Sequence, residues 1–223
     1  MRSVFLLLVG AGGTAVLLWL GFWQLERLSW KEGVLAEIEA SIGAEPVLLP
    51  SAPDPESDRY RAVEVTGALG ARELHVLVSA KGFGAGYRVI RALETGGARV
   101  MVDLGLIPTA AKEAARVAEA QVTVRGNLHW PSEVDRFTPE NDADGNIWFA
   151  REVAVMAEAL GTAPVLIIAQ ETTPPLPGVT AFPVDTSGIP NDHLGYAVTW
   201  FGMAAVWVSM SGLFLYRGRR KTA

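Results

Sequence analysis

The sequence predicts an α+β membrane protein in which two transmembrane helices flank a mainly antiparallel β exterior domain with a few helices. Two stretches indicate the membrane helices, because residues 4–23 and 194–216 carry no charged side chain over 20 and 23 positions. At 1.5 Å per residue, either stretch covers roughly the 30 Å hydrocarbon core of a bilayer. A third observation indicates the β domain: short segments rich in Val and Leu, separated by glycine-containing turns, lie between the two stretches.

We assign residues 1–23 to an N-terminal transmembrane helix. A cleaved signal peptide is the alternative, but the apolar run is longer than the usual 7–15 residues and no small-x-small cleavage site follows it. A helical pattern continues beyond it, with leucines and an isoleucine near one face, and the proline-rich segment PVLLPSAPDPESD ends near Asp58. Residues 24–58 are therefore expected to form an interfacial helix, lying along the membrane surface in contact with lipid, and a linker.

Residues 59–190 are predicted to form the exterior domain, as an antiparallel sheet or a small open barrel. The strand-like segments are YRAVEVTGAL, ELHVLVSA, GYRVIRALE, ARVMVDLGLI, QVTVRGNLHW and VLIIA. Two helices interrupt them: Thr109 can cap AAKEAARVAEAQ, and REVAVMAEALG ends at Gly161. The loop TTPPLPGVTAFPVDTSGIP contains too many prolines for regular structure.

Residues 191–216 form the predicted C-terminal transmembrane helix, and residues 217–223 a basic tail. With Arg2 at the other end, this tail places both termini in the cytoplasm by the positive-inside rule. Arg2 and the four basic residues of the tail account for five of the 19 basic residues. The other 14 stand against 24 acidic residues, so the segment between the two apolar helices is strongly acidic. We expect a multi-pass protein of the cell inner (plasma) membrane with a periplasmic central domain. The acidity argues against a nucleic-acid partner.

Motifs for enzymatic chemistry are not visible, and we expect no enzyme. The chain has no cysteine, which excludes thiolate metal chemistry. The glycines of KGFGAGYR precede a strand-like segment, which favours a hairpin or a flexible loop over a dinucleotide fingerprint. ENDADGN resembles the start of a calcium loop, but Arg151 stands where a bidentate Glu is required, so an acidic turn is expected. His75 and His129 have no second histidine nearby and receive no role.

His193 differs from the other histidines because it lies in the first turn of the second apolar helix. Tyr196 and Trp200 follow at i+3 and i+7 on the same face. Trp23, Arg27 and Trp30 are similarly spaced at the facing end of the first helix. One interpretation is an aromatic belt with a histidine at the interface. The other is a haem pocket, in which His193 binds the iron, aromatic rings pack on the macrocycle and Arg27 pairs with propionates. Spacing alone leaves both open.

Three motifs together resemble the Surfeit-locus (Shy-type) family of cytochrome c oxidase assembly proteins. The opening motif G-x-W-Q-x-x-R-x-x-W-K is matched by Gly21, Trp23, Gln24, Arg27, Trp30 and Lys31. The closing motif N-x-H-L-x-Y-x-x-T-W-F/Y is matched by Asn191, His193, Leu194, Tyr196, Thr199, Trp200 and Phe201. Between them, F-x-P-E-N and a later Trp are matched by Phe137, Pro139, Glu140, Asn141 and Trp148. The resemblance spans nearly the whole chain.

The resemblance implies assembly of haem–copper oxidase subunit I by a bacterial-type member that binds haem a and aids its insertion. It makes His193 the expected ligand of the haem iron. From the spacing of the residues we add Tyr196, Trp200 and Trp23 as contacts of the macrocycle and Arg27 as the partner of the propionates. Subunit I and the haem A synthase are the expected partners. One departure is visible: Val102-Asp103-Leu104-Gly105-Leu106-Ile107-Pro108 lacks the usual Arg and aromatic residue of the family.

A haem-free membrane scaffold that stabilises a subunit I assembly intermediate is the alternative function. The two hypotheses differ in a testable way: oxidase assembly by a scaffold would not depend on the His193 imidazole. An enzyme acting on haem or lipid is a third possibility, which no catalytic constellation in the sequence supports.

Overall fold

The computed structural model describes residues 2–114, 116 and 120–220, and it divides the chain into two compact units. One unit comprises Met1–Glu37 and Thr186–Ala223, and the other comprises Ile38–Asp185. The first is helical and the second holds the sheet. The predicted α+β class, with two long apolar helices flanking a mainly β domain, is confirmed.

Two helices make up the first unit. Helix α1 spans Arg2–Ile42, and its last five residues belong to the second unit. Among the described residues, the C-terminal helix of the chain begins at His193 and continues to Arg220. Both are long and apolar enough to cross a membrane. At roughly 60 Å for 41 residues, α1 is about twice as long as a bilayer's hydrocarbon core is thick.

Helix α1 continues without interruption past residue 24, where the predicted interfacial segment begins. The helix ends at Ile42, and the predicted linker then contains a two-residue strand, β1 at Val47–Leu48. The carbonyl of Ile42 accepts a 3.1 Å hydrogen bond from Nδ2 of the buried Asn127, so a side chain of the sheet satisfies this helix end.

The remaining strands are β2 at Ala62–Ala80, β3 at Gly84–Thr95, β4 at Ala98–Pro108, β5 at Ala120–Leu128 and β6 at Leu166–Thr173. They pair in the order β1-β2-β3-β4-β6-β5, and β5 also pairs with β2, so five strands form a closed ring. The pairs β1–β2 and β4–β6 are parallel, and the other four are antiparallel. The prediction of a mainly antiparallel sheet is confirmed, and the barrel is closed rather than open.

Strand β2 replaces the two strands predicted around Gly70, and that prediction was wrong. The glycines suggested a turn, but the chain passes through a bulge between Leu69 and Glu73. The first half of β2 pairs with β5 and the second half with β3, which is how the ring closes. At Gly67 a Cβ atom would collide with the backbone carbonyl of Glu94, so this glycine permits close strand packing.

Two apolar clusters form the core, one on each face of the sheet. The first is rich in valine and includes Val63, Val89 and Val124. In the second, helix α2 at Val153–Leu160 packs with Met156 and Leu160 against strand residues and Trp148. Helix α2 ends where predicted, because Gly161 adopts the left-handed conformation (φ 65°) and donates to the last turn.

The helix predicted after Thr109 is absent from the residues that the structure describes there. A three-residue 3₁₀ helix spans Thr109–Ala111, turns follow at 112–113, and β5 already begins at Ala120. Residues 115 and 117–119 of the predicted helix lie outside the described residues. The last two residues of the predicted helix, Ala120 and Gln121, pair with Leu69 and Ala68 of β2 instead.

Candidate functional site

His193 is the first residue of the C-terminal helix, which we label α3 (His193–Arg220). The helix begins with a 3.1 Å hydrogen bond from the Tyr196 N–H to the carbonyl of Asp192. His193 is partly exposed, and the residues that follow it are those of the predicted membrane span. An imidazole thus lies at the N-terminal end of an apolar helix, as the sequence predicts.

Gln24 of α1 is the hydrogen-bond partner of this imidazole. Its Oε1 lies 2.8 Å from Nδ1 of His193, and the glutamine is buried, with 8% of its surface exposed. Because an amide oxygen only accepts, this contact requires a proton on Nδ1, and the neutral imidazole then keeps its lone pair on Nε2. Nε2 makes no hydrogen bond to any residue that the structure describes, so it is the nitrogen left for a ligand.

The aromatic residues of α3 lie beside His193 on the same helix. Tyr196 is exposed (56%), and Trp200 is partly buried. Ala197, one turn after His193, is fully packed in the helical unit. Spacing at i+3 and i+7 keeps Tyr196 and Trp200 near the face of His193, and their contact with a macrocycle stays a prediction.

The residues that we predicted on α1 occupy its exposed side. Trp23 is 46% exposed, and the Arg27 guanidinium lies 3.9 Å from the centre of the Trp30 ring. No hydrogen bond, ion pair or ring contact joins Trp23 or Arg27 to His193 among the described residues. Arg27 therefore stands as a cation stacked on an aromatic ring, and its pairing with a propionate stays a prediction.

Sequence reasoning missed Gln24, although it quoted the residue within the opening motif. The available signal was an uncharged polar side chain following an apolar run, at a spacing of three from Gly21. Nearby, Oδ1 of Asn191 is buried and has no hydrogen-bond partner among the described residues. This oxygen lies two residues before His193 in the chain. It can accept a hydrogen bond from a ligand or from water.

A second polar cluster lies in the β domain around Glu73. Its carboxylate accepts hydrogen bonds of 3.0 and 2.8 Å from Nε of Arg116, and Oε2 lies 2.9 Å from Nε2 of His75. Burial raises the pKa of Glu73, but hydrogen bonds from His75 and Arg116 and the charge of Arg116 outweigh it and hold the pKa at about 2. Nδ1 of His75 lies 3.4 Å from Asn146, so both ring nitrogens have partners.

A third cluster is centred on Asp103, which is completely buried. Arg88 and Arg151 both donate to its Oδ2, and Arg151 also donates to Glu133. Burial lowers the pKa of the nearby His129, the positive charges of Arg151 and Arg59 lower it further, and together they bring it to about 4. These contacts tie the segment after β5 to the sheet, which gives the cluster a structural role.

The acidic segment 140–146 forms a turn, as predicted. Asp142 and Ile147 pair across it, and Oδ1 of Asp142 accepts a 2.8 Å hydrogen bond from the Gly145 N–H. Arg151, which replaces the calcium-binding Glu of a true loop, is engaged with Asp103 and Glu133. In the part of the chain that the structure describes, no three His, Asp or Glu side chains are grouped to hold a metal ion.

The fold and this site define a class of protein: a closed β domain inserted between two long apolar helices, one of which begins with a histidine held by the other. A sequence model of the SURF1 family matches residues 12–205. The chain is 34% identical over 215 residues to a SURF1-like protein of Monosiga brevicollis, covering 86% of this chain and 80% of the relative. It is 30% identical over 214 residues to Surfeit locus protein 1 of Homo sapiens, covering 83% and 69%. The chain belongs to the SURF1 family.

Proposed function

We propose that this protein binds haem a and aids its insertion into subunit I of a haem–copper oxidase. Membership of the SURF1 family supports a role in cytochrome oxidase assembly. The position of His193 carries the haem-binding part of the proposal. Its imidazole opens an apolar helix, one ring nitrogen is hydrogen-bonded within the protein, and the other is left with a lone pair.

The residues present fit a haem group. An axial ligand requires only one imidazole nitrogen, so a cluster of several metal ligands is not needed. Trp200 and Tyr196 supply aromatic surface near His193, and the buried acceptor on Asn191 lacks a donor among the described residues. His193 would hold the iron, the aromatic side chains would contact the macrocycle, and Arg27 would pair with propionates at headgroup level. When bound, the group is cargo for the oxidase, and the protein itself catalyses no reaction.

The topology completes the proposal. Both termini would lie in the cytoplasm and the β domain in the periplasm, with the protein in the inner membrane of a bacterial-type cell. Two apolar helices and a basic terminal segment support this arrangement. The β domain would then be free to dock on subunit I or on the haem A synthase.

A pyridine haemochrome spectrum of the full chain tests the haem-binding proposal. The protein is purified in mild detergent from cells that make haem A, together with His193→Ala and the control His129→Phe. We expect haem a in the wild type and in His129→Phe, whose histidine lies in the β domain, and its loss from His193→Ala. Retention by His193→Ala would move the ligand elsewhere. No haem in any of the three, with subunit I still co-purifying, would replace the proposal by the haem-free scaffold.

A further inference from the structure

The burial of Gln24 requires an explanation, because a primary amide is costly to place within an apolar helix pair. Only 8% of the residue is exposed, whereas its neighbours Trp23 and Leu25 are 46% and 38% exposed. A buried amide without a hydrogen bond loses its interaction with water and gains nothing in return. The contact between Oε1 and Nδ1 of His193 at 2.8 Å satisfies its acceptor.

Helices α1 and α3 pack closely near Gln24. One turn earlier, Gly21 is so close to Phe201 that a Cβ atom would lie 2.6 Å from its ring. Phe22 meets the same ring edge-on, with centroids 5.3 Å apart. Ala197 is 1% exposed on the facing helix, one turn after His193. Gly21 therefore leaves room for the Phe201 ring of α3, close to the level where Gln24 meets the imidazole.

We propose that Gln24 is a positioning residue that holds His193 as the tautomer protonated on Nδ1 and directs Nε2 toward the bound iron. This inference rests on the proposed function for its second half only. Histidines that bind metals commonly donate their other N–H to a fixed acceptor, which sets the tautomer and the ring orientation. Here the acceptor is a neutral amide from the other helix. The tautomer and the ring orientation of His193 are therefore set before a ligand binds.

The first test needs no haem. In the full-length protein in detergent, labelled with ¹⁵N-histidine, the two ring nitrogens of His193 are assigned by comparison with His193→Ala. We expect a protonated Nδ1 and an unprotonated Nε2 in the wild type. Gln24→Leu, which keeps the size and removes the acceptor, should shift the ring toward the Nε2-protonated form that dominates in free histidine. Gln24→Glu, which keeps an acceptor, should retain the wild-type pattern.

Thr14→Val is the matched control, because it also removes a polar group from α1. The Thr14 hydroxyl donates to the carbonyl of Gly10 within the same helix and does not involve His193. Its imidazole pattern should equal that of the wild type. An Nε2-protonated imidazole in the wild type, or a pattern unchanged in Gln24→Leu, would overturn the tautomer assignment.

The second test measures haem affinity by absorbance titration with haem a. Loss of an outer-shell partner typically costs 10–100-fold in metal affinity. We expect that loss for Gln24→Leu, near-wild-type affinity for Gln24→Glu, and a lower reduction potential in Gln24→Glu because a carboxylate makes the imidazole a stronger donor. Equal affinity in Gln24→Leu and wild type would overturn the positioning role. If the wild type binds no haem while its tautomer is as expected, the proposed function fails and the Gln24–His193 hydrogen bond stands.

Discussion

Nη1 of Arg88 donates a 2.7 Å hydrogen bond to Oδ2 of Asp103, whose side chain has no exposed surface. Arg151 approaches the same oxygen at 3.4 Å, and the Gly105 N–H donates to the other oxygen at 3.1 Å. A carboxylate buried this deeply is tolerated because cations and an N–H surround it. Arg88 in turn depends on Asp103 for a compensating charge, whereas Arg151 also pairs with Glu133.

Asp103→Asn should lower the free energy of unfolding by roughly 3–5 kcal/mol, because it leaves the buried Arg88 guanidinium without a compensating charge, whereas Arg151 keeps its ion pair with Glu133. Denaturant unfolding of the full chain in detergent, followed by tryptophan fluorescence, measures this change. Glu94→Gln is the control: its carboxylate is 63% exposed and pairs with Arg99 at 3.5 Å, so its effect should stay within about 0.5 kcal/mol. Equal stabilities of the two variants would show that the Asp103 network contributes nothing.

Glu73 should make the stability of the β domain depend on pH below neutrality. Its pKa is about 2 in the folded protein against an ordinary 4.5, so its ionised form stabilises the fold above about pH 4.5. That stabilisation is lost as the pH falls from 4.5 toward 2. Glu73→Gln should thus be less stable than the wild type at pH 7, and the difference should narrow steadily below pH 4.5. A difference that stays constant down to pH 3 would contradict the lowered pKa.

His129 should also make the folded state less stable as the pH falls, but over a higher pH range than Glu73. Its pKa falls from an ordinary 6.5 to about 4 on folding, so the unfolded chain binds the proton more readily between these values. The folded state should lose up to about 1.4 kcal/mol per pH unit as the pH falls from 6.5 to 4. His129→Phe keeps an aromatic ring next to Tyr60 but removes the titratable group, so it should lose this dependence, which unfolding curves at pH 7 and pH 5 compare directly. An identical pH dependence in both proteins would assign the effect to other groups.

The sequence identifies α3, the hairpin at residues 81–83 and α2 with its glycine end because each depends on local signals. Long apolar runs, positive-φ glycines and a left-handed terminus are properties of neighbouring residues. The two errors of the β domain have a common cause. Gly70 and the segment after Thr109 were interpreted by local preference. Strand β2 instead continues through a bulge at Gly70, and Ala120 and Gln121 pair with residues of β2 that are distant in sequence.

The residues of the candidate site also differ in whether the sequence can predict them. His193 and its aromatic neighbours are predictable from spacing along one helix. Gln24 is not, because its contact joins residues 169 positions apart, and a single sequence does not show which face of α1 packs against α3. The helix contains several glycines, and only the structure shows which of them lie against the partner helix.

The last prediction concerns the face of α1 that packs against α3. A Cβ atom at Gly13 would lie 2.5 Å from Nε1 of Trp207, whereas one at Gly12 would meet no atom within 4 Å. Gly13→Leu should therefore force the helices apart, and Gly12→Leu should leave them in place. Trp207 also donates a 3.1 Å hydrogen bond to the carbonyl of Gly10, which the displaced helices would lose.

Because the chain has no cysteine, a single introduced pair can report the helix contact. A Cβ atom at Gly10 would lie 3.2 Å from the Cβ atom of Ser211, near the separation of disulfide-bonded cysteines. Gly10→Cys combined with Ser211→Cys should cross-link under mild oxidation in membranes, as should the same pair with Gly12→Leu. Adding Gly13→Leu should reduce the cross-linked fraction severalfold on non-reducing gels. Efficient cross-linking in the Gly13→Leu protein would mean that the α1–α3 contact does not require glycine at this position.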